Sequence, residues 1–201
     1  MIGFYDYTVI TSFLGIISAV IGMTEACNGN FLIAIICLAF SGMCDTLDGK
    51  IARTKKNRTD DEKAFGIQLD SLCDVVCFGV FPVVIAYNMG MNKPLGIAVL
   101  CMFLVCGVIR LAYFNITTGK KGSMKFYNGL PVTSTAIIYP VLGLLYGFIN
   151  MQTLSIIYII STIIIAFLFV YRFQVQKFDK LAYIIVPILA IVLIWMLLII
   201  R

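Results

Sequence analysis

The chain has 201 residues, of which 61% are hydrophobic and 12% charged, and its mean hydropathy is +1.02. Soluble domains run at about 45–50% apolar and about 25% charged, so this composition excludes a water-soluble, disordered or collagen-like chain and makes lipid the main solvent. The sequence has no histidine and a net charge of +5. His-ligated zinc or haem and Ser-His-Asp triads are therefore excluded, and the charge fits loop bias and anionic head groups rather than nucleic acid. The seven cysteines (27, 37, 44, 73, 77, 101 and 106) form no CxxC pair and sit mostly in apolar stretches, as small buried side chains do.

A bilayer core of about 30 Å needs roughly 20 apolar residues per helix. Residues 7–24 and 26–44 are free of charge on either side of Glu25, and 75–92, 94–109 and 181–200 are also charge-free. The stretch 126–171 carries 46 uncharged residues, or about 69 Å of helix at about 1.5 Å per residue, enough for two crossings with a turn near Gly147-Phe148-Ile149-Asn150. These segments predict helices near 8–25, 31–54, 64–90, 94–117, 128–148, 151–171 and 180–200. The fold expected is an all-α polytopic membrane protein, a single domain over 1–201 built as a bundle of about seven transmembrane helices, within a range of six to eight. With the N-terminus in the cytoplasm, 13 of the 15 basic residues fall on the inside and only Lys93 and Arg201 fall outside, as the positive-inside rule requires. The first segment lacks the basic flank of a secretory signal.

Along the chain, Thr59-Asp60-Asp61-Glu62 reads as a capping box for the helix leading into the third span. Lys55, Lys56, Arg58, Lys120, Lys121 and Lys125 read as anchors to anionic head groups. Gly143 and Gly147 form a GxxxG pair, which serves packing within the bundle or a dimer seam. Pro82, Pro131, Pro140 and Pro187 start or kink helices.

Ionisable residues inside spans mark function. Asp45 and Asp48 close the second span at i and i+3, and Asp70 and Asp74 open the third at i and i+4, so each pair shares one helical face. Two antiparallel neighbours joined by a short loop bring the four together at the cytoplasmic end. Four carboxylates without histidine or usable cysteine suit hard divalent cations, two of which match a polyphosphate ligand. Gly49 permits close approach, Ala52 leaves room on the same stripe, and Arg53 offers a planar fork to phosphate oxygens. A buried ion network without chemistry is the other reading of the same spacing.

The motif Asp45-Thr-Leu-Asp48-Gly49-Lys-Ile-Ala52-Arg53, followed by Gly66-Ile-Gln-Leu-Asp70-Ser-Leu-Cys-Asp74, resembles the signature of the CDP-alcohol phosphotransferases. The 12 residues between Arg53 and Gly66 exceed the eight common in that family, so a longer connecting loop is expected. Within the family, residues 69–80, Arg110-Leu-Ala-Tyr-Phe-Asn115 and Asn128-Gly-Leu-Pro131 resemble the phosphatidylserine synthases; Tyr113 stands where those have a second arginine, and Thr133 where a second proline is common.

The resemblance implies transfer of the phosphatidyl group of a CDP-diacylglycerol-type lipid to the hydroxyl of L-serine, with release of CMP. It implies that Asp45, Asp48, Asp70 and Asp74 hold two Mg²⁺ or Mn²⁺ ions, with Asp74 as general base, and that Gly49, Ala52 and Arg53 line the CDP site. Thr59 matches a position that contacts the nucleotide-lipid, beside its capping role. Arg110 is the candidate for the serine carboxylate, its alternative being a structural pair with a carboxylate of the site; Asn115 and Asn128 are weaker candidates. A homodimer is also implied. Glycerol 3-phosphate and inositol phosphate are the alternative acceptors, disfavoured by the few arginines. A carboxylate-lined ion transporter is the alternative from another class, disfavoured because the carboxylates gather at one entrance and Gly49 and Arg53 have no transport role.

Overall fold

The computed structural model describes residues 3, 4, 6–52, 54, 55, 57–121, 126–146 and 148–176. Helix α1 spans Ile10–Cys27 and α2 spans Phe31–Ala52. Helix α3 runs unbroken over Asp60–Asn88 and contains a π-helical turn at Val75–Val80. Helix α4 covers Pro94–Lys121, α5 covers Thr135–Gly143 behind a 3₁₀ turn at Val132–Ser134, and α6 covers Met151–Val170. Among the described residues, α1, α2, α3, α4 and α6 are long and apolar enough to cross a membrane. The protein is an all-α polytopic membrane protein. The expected helix at 180–200, with Lys177, Lys180, Pro187 and Arg201, lies outside the described residues, as do Arg53, Lys56, Lys125 and Gly147.

Two helices differ in extent from the sequence expectation, and a strand pairing joins residues far apart in the chain. Helix α3 begins at Asp60 rather than near 64 because the capping box forms: Thr59 Oγ1 accepts from Glu62 N at 3.2 Å, and Glu62 Oε2 accepts from Thr59 N at 2.8 Å. Asp70 and Asp74 therefore sit well inside α3 rather than at its start. The crossing expected near 128–148 is shorter, since Pro131 is extended (φ −62°, ψ 140°) and the helical run is Val132–Gly143. Residues ahead of it form strand β1, Phe126–Asn128, which pairs antiparallel with β2, Gln174–Gln176, a pairing that hydropathy does not announce.

Lipid offers no hydrophobic drive between helices, so small residues and interhelical hydrogen bonds hold them together. On α1 the buried positions are Ser12, Gly15, Ser18, Ala19, Gly22 and Ala26, a helical stripe of small side chains that lets α2 approach. Ser18 Oγ donates to Cys37 O and Ser41 Oγ to Gly15 O, both at 3.0 Å. Elsewhere aromatic rings fill the centre: Tyr139 and Tyr158 meet edge to face at 5.3 Å, and the Tyr139 hydroxyl lies 2.9 Å from Thr162 Oγ1.

Gly42, one turn before Asp45, sets the distance between α2 and α5: a Cβ there would lie 2.5 Å from the Ala136 Cβ. Overpacking of this kind costs about 1–3 kcal/mol. Gly42→Ala is expected to lower the thermal midpoint in detergent, followed by far-UV circular dichroism, and the added change Ala136→Gly is expected to restore it. A Gly42→Ala protein that melts like the wild type contradicts this packing.

Candidate functional site

The end of α2 and the middle of α3 meet at the aspartates. Carboxylate oxygens of Asp45, Asp70 and Asp74 lie within 4.8 Å of one another. Asp45 is within hydrogen-bonding reach of Asp74, and Asp48 within reach of Asp70. Ser12 Oγ on α1 donates to Asp48 Oδ2 at 3.2 Å. Asp74 is buried, and the π-helical turn begins at the next residue. Such turns recur at functional sites because the widened coil re-aims the side chains around it. Here Thr135 Oγ1 donates to the Phe78 carbonyl of that turn at 3.2 Å, tying it to the start of α5. The donor set is all oxygen, anionic and convergent, which fits hard divalent cations such as Mg²⁺ or Mn²⁺.

Beside the aspartates opens a cavity of about 170 Å³, lined by Thr8, Ser12, Asp48, Gly49, Ala52 and Asp70 and continued by Arg58 and Gly66. The structure thus brings Gly49 and Ala52 to the cavity where two of the aspartates face it. Arg53 is outside the described residues. Thr59 is exposed, with its hydroxyl in the capping box. Thr8 and Ser12 were not legible as site residues, because only the folded chain lays the first turn of α1 over the end of α2.

The residues leading into α1 are fixed by charge. Lys55 Nζ lies 2.8 Å from both Asp6 Oδ2 and Glu62 Oε1, so this lysine, expected among the head-group anchors, joins the N-terminal segment to the start of α3. Lys55, with the Thr8 hydroxyl and amide beside it, lowers the Asp6 carboxyl to about 2.

Arg110 is buried on α4. Its Nε donates to Leu130 O at 3.1 Å and its guanidinium sits 5.0 Å from the centre of the Phe114 ring. It lines another cavity, of about 190 Å³, with Tyr113, Phe169, Tyr171 and Arg172. The Asn-Gly-Leu-Pro segment builds this corner. Gly129 adopts φ +77°, and a Cβ there would lie 3.0 Å from Phe169 O, which explains the glycine. Asn115 Nδ2 donates to Ser71 Oγ at 2.8 Å, linking α4 to α3 one residue beyond Asp70.

Fold and site together define a membrane-embedded helical protein with a cluster of aspartates beside a cavity. The sequence profile of the family described as CDP-alcohol phosphatidyltransferase matches residues 7–200, and the chain belongs to that family. It is 33% identical over 189 residues to the CDP-diacylglycerol–serine O-phosphatidyltransferase of Helicobacter pylori, covering 90% of this chain and 76% of that one. It is 40% identical over 112 residues to the enzyme of the same name from Saccharomyces cerevisiae, covering 52% of this chain and 38% of that one. It is 32% identical over 127 residues to the archaetidylserine synthase of Methanothermobacter thermautotrophicus, covering 63% and 52%. The matches thus span from little more than a third to about three quarters of these relatives' lengths.

Proposed function

We propose that the protein transfers the phosphatidyl group of a CDP-linked lipid to the hydroxyl of L-serine, releasing CMP. The observation that carries this reading is the meeting of Asp45, Asp70 and Asp74 within 4.8 Å beside a cavity lined by Asp48, Gly49 and Ala52. The names of the relatives support serine, which is common to all three, while the lipid part of those names differs.

Asp45, Asp48, Asp70 and Asp74 would hold two Mg²⁺ or Mn²⁺ ions. When bound, such ions neutralise the diphosphate and stabilise the departing CMP. Gly49 and Ala52 let the diphosphate approach α2, with Arg53 and Thr59 as further donor contacts. Asp74 takes the proton of the serine hydroxyl as that oxygen bonds to the lipid-side phosphorus, and the bond from that phosphorus to the CMP oxygen breaks. Catalysis rests chiefly on positioning and charge neutralisation. Arg110 holds the serine carboxylate. The active site lies at the cytoplasmic face, near anionic lipids, and the protein works as a homodimer.

The test is CMP release by purified protein in detergent with CDP-diacylglycerol, Mg²⁺ and a panel of acceptors. L-serine alone is expected to support release. Release with glycerol 3-phosphate or inositol phosphate instead would assign the two arginines of the Arg110–Arg172 cavity to a phosphate and overturn serine. No release with any acceptor would overturn the transferase reading.

A further inference from the structure

We infer that Arg58 is a diphosphate-binding residue of the donor cavity, seated there by the missing side chain of Gly66. This rests on the transferase reading above and adds a residue that the sequence places among the head-group anchors.

Arg58 lines the same cavity as Asp48, Gly49 and Asp70. Its Nη2 donates to Glu62 O at 3.1 Å, which fixes one edge of the guanidinium against the first turn of α3. Among the described residues it makes no ion pair. Of the acidic side chains that follow it, Asp60 pairs with Lys63 Nζ at 3.0 Å, and Glu62 is taken by Lys55 Nζ and by the Thr59 amide. Arg58 Nε is buried and has no hydrogen-bond partner. An arginine held in place with an unmatched buried donor is set for an anion that arrives from outside the fold. Its planar fork matches phosphate oxygens, and the aspartates on the opposite wall require cationic help before a doubly charged diphosphate can enter.

Gly66 supplies the second observation. A Cβ at position 66 would lie 2.7 Å from Arg58 Nη2 and 3.7 Å from its Cζ. The clash is with the far end of a flexible side chain, so Gly66→Ala leaves the backbone in place and swings the guanidinium out. The glycine one turn before Asp70 thus acts through Arg58.

The probe is CDP, with cytidine as its phosphate-free counterpart, titrated calorimetrically into full-length protein in detergent with Mg²⁺. Arg58→Ala and Gly66→Ala are each expected to weaken CDP binding about tenfold or more, the scale of a hydrogen bond to a charged group, while cytidine binding is unchanged. The double variant is expected to be no weaker than Arg58→Ala alone, and Arg58→Lys to fall between. CDP binding at wild-type strength in Arg58→Ala overturns the inference while leaving the transferase reading intact. Equal loss of CDP and cytidine binding in both single variants also overturns it, since the role is then structural. A wild-type protein that binds no CDP overturns both. A wild-type level of CDP binding with lost affinity for anionic vesicles in Arg58→Ala would assign the guanidinium to a lipid phosphate.

Discussion

Asp74→Asn is expected to give a folded protein that releases CMP at least about 10³-fold more slowly than the wild type, from the loss of the general base and of one cation-holding carboxylate together. Asparagine keeps the size and the burial of the side chain, so the helix and the π-helical turn at Val75–Val80 have no steric reason to change. It also removes one negative charge from a cluster whose carboxylates lie within 4.8 Å of one another, so stability without divalent cations is expected to hold or rise. The measurement pairs turnover under saturating donor and serine with thermal unfolding of the same preparation. Loss confined to KM, with kcat kept within about tenfold, would remove the base from position 74 and leave it a binding role. A collapsed melting curve would instead place Asp74 among the groups that hold the fold.

Much of this site was legible because a helix has a fixed period. Spacings of three and four put Asp45 with Asp48 and Asp70 with Asp74 on common faces, and charge-free runs located the five long apolar helices found among the described residues. What escaped the sequence depends on contacts distant along the chain. The stripe of small residues on α1 looks like any apolar helix until α2 is laid against it. Lys55 looks like a lipid anchor until Asp6 and Glu62 are seen at 2.8 Å, and that clasp accompanies the placing of Thr8 and Ser12 at the cavity wall. The π-helical turn adds one residue to a coil within an unbroken apolar run, so no hydropathy pattern marks it. The shortened α5 had a signal in Pro131, but the strand pairing just ahead of it is set by residues some 48 positions apart.

Divalent cations are expected to change stability in a way that only a cation site explains. Without them the fold holds Asp45, Asp48, Asp70 and Asp74 close together against their mutual repulsion. A ligand that binds only the folded state adds about 2.7 kcal/mol at a hundred times its dissociation constant. For a chain of this length, about 2–4 °C per kcal/mol puts the expected rise in thermal midpoint at roughly 5–10 °C on adding Mg²⁺ or Mn²⁺ after chelation. Potassium at matched ionic strength is expected to give a much smaller rise, because screening acts on all charges alike while the cluster selects for charge density. Asp45→Asn separates the site from a purely structural network. In chelator it is expected to melt higher than the wild type, since repulsion is relieved; in Mg²⁺ it is expected to melt lower, since a ligand is gone. That crossing is the decisive sign: a structural hydrogen-bond network loses stability on Asp45→Asn under both conditions, and a wild-type midpoint indifferent to Mg²⁺ and Mn²⁺ would remove the cations from the site altogether.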